Sequence, residues 1–254
     1  IAAHQKQPFF LYVPHLAIHF PWQGPHDPPH RMKGHEYEPD KWGVIPDPGN
    51  VAPHVKAMVE SLDESVGAIV AALKERKLDR NTLVIFTSDN GGYITYGPKF
   101  KNISSNGVLR GQKTQLYEGG HRVPMVISWP AGIQPAVTAQ TCHSVDLLPT
   151  FAALAGVAQD NLQTDGIDLA PLLFKGQPLP DRTFFWRASS QAAVRRGHWK
   201  LYRNDGITEL YNLDTDLSEQ HNQADQNPDL VSELSAAWTA WNADVNHSAE
   251  KYER

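Results

Sequence analysis

The sequence is short of several things, and each shortage excludes something. It has one cysteine, Cys142, in 254 residues, so no intramolecular disulfide framework is available and cysteine usage leaves the redox compartment open. No apolar run approaches the ~20 residues of a membrane-spanning helix, and no span is expected. Positive charge is in deficit: 23 Lys and Arg stand against 28 Asp and Glu, for a formal net charge of −5. With no basic stripe either, nothing points to a nucleic-acid surface. No internal repeat is visible. The opening Ile1-Ala2-Ala3-His4-Gln5-Lys6 has neither an initiator Met nor an apolar core, so it is not a signal peptide. What remains is an ordinary globular balance, 41% hydrophobic and 20% charged, in a chain long enough for one large α/β domain or two small ones.

Periodicity divides the chain. Residues 9–13 (Phe-Phe-Leu-Tyr-Val) read as a buried strand stopped by Pro14. From there to Pro53 runs a Pro-, Gly- and His-rich excursion, with six histidines in the first 35 residues. Loops of this length are usually functional or mobile. Val55, Met58, Val59, Leu62, Val66, Ile69, Val70 and Leu73 then fall at helical spacing, predicting an amphipathic helix over 52–77. A strand over 82–88 follows, and the order suggests a crossover unit of a mainly parallel sheet. Residues 93–122 read as a Gly-rich polar loop, 123–129 as a strand and 146–155 as a short helix. After about residue 176 come four short strands (183–186, 192–195, 199–202 and 209–212), as in an antiparallel meander. Asp205-Gly206 is placed to turn a hairpin. Asn227-Pro228 opens a last helix with Leu230, Leu234, Trp238 and Trp241 on one stripe.

The stretch 83–92, Leu-Val-Ile-Phe-Thr-Ser-Asp-Asn-Gly-Gly, organises the rest. A strand buried on both faces ends in an acid, an amide and two glycines, and open α/β sheets place their chemistry at strand ends of this kind. Asp89 offers a carboxylate and Asn90 a carbonyl oxygen, hard donors suited to Ca²⁺ or Mg²⁺. Taken alone, the same four residues also describe an Asx-type turn.

Three stretches, in this order, resemble the sulfatase family within the alkaline-phosphatase-like superfamily. They are 8–14 (Pro-Phe-Phe-Leu-Tyr-Val-Pro) running into His19-Phe20-Pro21; 86–92 (Phe-Thr-Ser-Asp-Asn-Gly-Gly); and 109–113 (Leu-Arg-Gly-Gln-Lys) through 117–124 (Tyr-Glu-Gly-Gly-His-Arg-Val-Pro). The stretches 144–150, 196–201 and 209–213 fit as well, so the similarity runs almost end to end. The fold it implies is α/β: an alkaline-phosphatase-like, mainly parallel sheet flanked by helices over 1–176. A smaller C-terminal antiparallel sheet plus helix covers 177–254. The implied activity is sulfuric ester hydrolysis. Asp89 and Asn90 match two ligands of the family's divalent cation, usually Ca²⁺. Lys113 matches its sulfate-binding lysine, and His19 matches the histidine at the bridging oxygen that can act as general acid, with His15 the fallback. The position of Arg122 looks mainly structural. The spacing of His15 and His19 suits zinc on a helix, but Pro14 and Pro21 argue against a helix there.

The family also carries a paired-aspartate metal motif and a Cys-x-Pro-x-Arg motif whose cysteine becomes formylglycine. Neither occurs here, and Thr141-Cys142-His143-Ser144 does not match. The expectation is therefore a C-terminal portion, inactive alone, whose partners are the missing N-terminal half and a sulfated small molecule or glycan. The resemblance implies a periplasmic or secreted protein, lysosomal in a eukaryote. Two other functions stay open: a phosphoryl-transfer member of the same superfamily, and a non-catalytic remnant. The tryptophans Trp22 and Trp42 can stack on sugar rings, although packing explains each more simply. The sequons at Asn102 and Asn246 are of a kind that arises often by chance.

Overall fold

The computed structural model describes residues 1–27, 49–98 and 100–252; Trp42 and most of the Pro-rich excursion lie outside them. Helix α1 (Ala52–Glu75) carries Pro53 in its first turn, where a missing N–H costs nothing. It buries Val55, Met58 and Leu73, three of the eight residues that the period singled out, while Val59 remains 45% exposed. Its N-terminal half packs with Trp22, Val51 and Ile103 in one core, walled by Phe20, Tyr93 and Phe100. Trp22, 2% exposed, is a packing residue.

Strand β1 (Val84–Thr87) pairs antiparallel with β2 (Met125–Ser128), in the register Val84 opposite Ser128. Among the described residues no parallel pair forms, so the crossover expected from strand order is not made within this stretch. Residues 9–13 join no ladder with any described residue, and Phe10 and Tyr12 are 73% and 75% exposed. The apolar pattern specifies a strand; without a neighbour to satisfy its backbone groups, no sheet forms there. For the same reason β1 is not buried on both faces, and Phe86 remains 42% exposed.

The Gly-rich loop contains a single helical turn, α2 (Glu118–His121). Helix α3 (Leu147–Leu154) is entered through buried Asp146. That carboxylate takes Arg182 Nη1 and Nη2 at 2.7 and 2.8 Å and the His143 and Ile167 amides at 2.8 and 3.0 Å. Burial alone would raise its pKa; the paired guanidinium and the amides bring it below the ordinary range. Helix α4 (Ala170–Lys175) follows.

The last third is the meander that the turn residues predict. Strands β3 (Thr183–Ala188), β4 (Gln191–Arg196), β5 (Trp199–Asn204) and β6 (Ile207–Asn212) lie in sequence order, each antiparallel to the next. Asp205 and Gly206 both have positive φ, 44° and 85°, as a two-residue hairpin turn requires. The row Phe185, Val194, Leu201, Leu210 crosses the sheet on one face. Helix α5 (Pro228–Tyr252) covers that row with Leu230, Leu234 and Trp238. Side chains alternate across a strand, so Ala193, Arg195, Lys200, Tyr202, Glu209 and Tyr211 share the opposite face. That second face meets the Gly-rich loop, with Leu116 and Tyr117 packed on Ala193 and Tyr202.

Candidate active site

Residues 88–92 form the loop that leaves β1. Ser88 Oγ donates to the Asn90 carbonyl at 2.9 Å, and Asn90 Nδ2 donates to the Gly91 carbonyl at 2.9 Å. Using its amide nitrogen locally leaves Asn90 with an open Oδ1. The Asp89 side chain is exposed and has no hydrogen bond or ion pair to any described residue. An uncompensated carboxylate beside an open amide oxygen fits a hard cation, although two donors are a fraction of the six to eight that Ca²⁺ takes. Among the described residues, no group of three or more His, Cys, Asp or Glu side chains is arranged to hold a metal.

The loop is tied to two others through its backbone. Gly91 N donates to the Gly120 carbonyl at 2.9 Å, and Lys113 N donates to the Gly92 carbonyl at 3.4 Å. Asn106 clamps Gly92 from both sides, with its Oδ1 accepting from Gly92 N and its Nδ2 donating to Gly92 O, each at 3.0 Å. Gly91 has to be glycine: a Cβ there would overlap the Gly119 carbonyl oxygen. Asp89, Asn90 and Lys113 are thus held on adjoining loops, and Lys113 Nζ stands 5.7 Å from the Tyr93 ring.

His19 sits apart and hydrogen-bonds none of these three. Its Nδ1 is 2.7 Å from the Phe20 carbonyl. Carbonyl oxygen only accepts, so Nδ1 carries the proton and Nε2 is the free nitrogen. His19 lines a cavity of about 480 Å³ with Leu16, Phe20, Pro21, Pro25 and Met58. The two regions are joined by aromatic contacts: Phe20 to Tyr96 at 5.3 Å and Tyr96 to Tyr93 at 5.1 Å. His15 Nε2 is 3.3 Å from Ser65 Oγ on α1. The Cys142 thiol is half-buried, and burial pushes its pKa up.

Beneath the Glu-Gly-Gly turn lies a cluster that sequence reasoning missed. Glu118, Lys200 and Glu219 are all 0% exposed. Lys200 Nζ is 2.9 Å from Glu118 Oε1, 2.9 Å from Glu219 Oε1 and 3.2 Å from His121 Nε2. Its approach to Glu219 Oε1 is off the hydrogen-bonding direction, so that oxygen is ion-paired without being hydrogen-bonded. Glu219 Oε2 accepts from Glu118 N at 2.7 Å, and Arg122 and Arg195 stand 3.2 and 3.8 Å from Glu118 Oε2. Burial would raise the Glu118 pKa, but Lys200 and its neighbours hold it down at about 2. Glu219 goes the other way, raised by burial that Lys200 only partly offsets. His121, stacked on Trp186 at 4.6 Å, is lowered to about 4 by burial and by Lys200. The one signal in the sequence was Lys200 itself, a charge placed between Trp199 and Leu201.

A family model described as Sulfatase matches residues 1–157, and the chain belongs to that family. It is 36% identical over 208 residues to arylsulfatase A of Bos taurus, covering 79% of this chain and 37% of that protein. Over 262 residues it is 29% identical to an N-acetylgalactosamine-6-O-sulfatase of Bacteroides thetaiotaomicron, covering 92% of this chain and 47% of the relative. The chain thus spans less than half the length of these curated relatives. One solved structure, from work on metabolism of multiple glycosaminoglycans by B. thetaiotaomicron, superposes with a TM-score of 0.75 at 24% identity. That match covers 95% of this chain and 52% of the other. The likeness carries the fold, and the alkaline-phosphatase-like α/β class expected from the motifs is borne out. No helix among the described residues is long and apolar enough to cross a membrane.

Proposed function

We propose that residues 1–254 are part of a sulfuric ester hydrolase. Residues 1–176 belong to its catalytic α/β domain and 177–254 form a small subdomain. Asp89 and Asn90 supply two oxygen ligands to a divalent cation, Ca²⁺ or alternatively Mg²⁺. The observation that carries this is the loop leaving β1: a carboxylate and an amide oxygen with no partner among the described residues, bonded through Gly92 to the loop bearing Lys113. A bound cation supplies positive charge against the sulfate oxygens and against charge developing in the transition state. Lys113, a compact ammonium, binds a sulfate oxygen. His19, with Nδ1–H fixed on the Phe20 carbonyl, hands the leaving oxygen the proton that Nε2 carries when the ring is doubly protonated. The remaining metal ligands and the formylglycine nucleophile come from outside this chain, in the N-terminal half. The substrate is a sulfated small molecule or glycan, met in the periplasm, outside the cell or, in a eukaryote, in the lysosome.

The test uses the complete protein, assayed with Ca²⁺ on 4-nitrophenyl sulfate, a 6-O-sulfated N-acetylgalactosamine and 4-nitrophenyl phosphate. The expected result is release of sulfate that chelation abolishes. Release of phosphate alone would favour the phosphoryl-transfer function, and no turnover by correctly matured protein would favour the non-catalytic one.

A further inference from the structure

The buried cluster touches none of the candidate substrate or metal ligands, yet it abuts the turn that holds them. The Glu118–His121 turn is the meeting point of three backbone segments. Gly91 N donates to the Gly120 carbonyl at 2.9 Å, and Gly119 N donates to the Arg110 carbonyl at 2.7 Å. A Cβ on Gly119 would overlap the Arg110 and Gly111 carbonyls, and one on Gly120 would overlap the Gln115 carbonyl. The loops bearing Asp89 and Lys113 therefore rest on this turn at backbone contact, with no side chain between to absorb a shift. On its other side the turn is fixed by the C-terminal sheet: Lys200 of β5 holds Glu118 Oε1, and Glu219 holds the Glu118 amide. Arg110 adds a second tie, with Nη1 donating to Tyr211 Oη and to the Glu219 carbonyl, each at 2.8 Å.

We infer that Lys200, with Glu118 and Glu219, is a positioning residue for the candidate active site: it fixes the Glu-Gly-Gly turn and thereby the spacing of Asp89, Asn90 and Lys113. This rests on the hydrolase function proposed above for those three residues. It gives the C-terminal sheet a part in catalysis at a distance from the reacting atoms, where displacement by about 1 Å can cost on the order of 10²-fold in rate.

Lys200→Met alone leaves two buried carboxylates without their cation and can simply fail to fold. The informative variant is Glu118→Gln/Lys200→Met/Glu219→Gln, in which charge is removed from all three partners and a side chain of similar length still fills each place. In the complete protein, hydrogen exchange over 88–92 and 110–120 is compared with exchange over β6, alongside kcat and KM for 4-nitrophenyl sulfate. The expected result is exchange at the Gly91 amide faster by roughly 10-fold or more with β6 unchanged. kcat/KM should fall on the order of 10²-fold, mainly through kcat. Unchanged exchange at 88–92, or a uniform rise that includes β6, overturns the positioning role. If the unmutated protein hydrolyses no sulfate ester, the hydrolase function falls, and the exchange comparison by itself supports or overturns the positioning role.

Discussion

His121 makes the stability of this fold sensitive to mild acid, by an amount that can be worked out. In the folded chain its pKa is lowered from 6.5 to about 4, first by burial and then by Lys200 at 3.2 Å. The unfolded chain binds the proton from about pH 6.5 downward, whereas the folded chain refuses it until about pH 4. Folding stability therefore falls as pH drops through that window. At about 1.4 kcal/mol per pKa unit, the loss relative to pH 7.5 is about 2 kcal/mol at pH 5 and about 3 kcal/mol at pH 4. His121→Phe keeps a ring to stack on Trp186 and removes the titration. The assay is urea unfolding of the complete protein and the variant at pH 7.5, 6 and 5. The expected outcome is a pH dependence shallower in the variant by about 2 kcal/mol between pH 7.5 and 5. Equal slopes would mean that His121 is not held neutral by its surroundings.

Three further outcomes follow from the geometry. Gly91→Ala forces a methyl group into the Gly119 carbonyl; it should cost about 1–3 kcal/mol or more and weaken Ca²⁺ binding, as urea unfolding and calorimetry would read, and a variant unchanged in both would discount the Gly91–Gly120 tie. Asp89→Ala in the complete protein should weaken Ca²⁺ binding by on the order of 10- to 100-fold or more, since even outer-sphere losses cost that much; unchanged affinity by calorimetry would make Asp89 a turn residue. His19→Ala should slow an alkyl or sugar sulfate, with its strongly basic leaving oxygen, by roughly 10²–10⁴-fold and 4-nitrophenyl sulfate much less; equal losses would remove His19 as the acid and turn attention to His15.

Much of the fold could be read from local pattern. The period of 3.6 gave α1 and α5, alternation gave the strands of the meander, and Asp205-Gly206 gave its last hairpin. Pairing was harder to read. Residues 9–13 have the composition of a strand, but a strand exists only through its neighbour, and none of the described residues provides one. The Asp89–Asn90 loop was legible as oxygen donors at the end of an apolar strand, whereas Lys113 stood out only through the resemblance of 109–124 to the family's motif. The Glu118–Lys200–Glu219 cluster was not, because its members stand 82 and 101 residues apart in the pairs that bind Glu118. Apart from Lys200 lying between Trp199 and Leu201, local sequence presents them as ordinary surface charges, and only tertiary packing makes them one buried unit.

Under the proposed function, Asp89 and Lys113 serve one anion site. Its most direct test is a double-mutant cycle on kcat/KM for a sulfate ester, using Asp89→Ala, Lys113→Ala and the double variant of the complete enzyme. Groups that act as a unit are strongly non-additive, so the double variant should lose little more than the worse single variant. Losses that simply multiply would mean two independent residues and contradict the site.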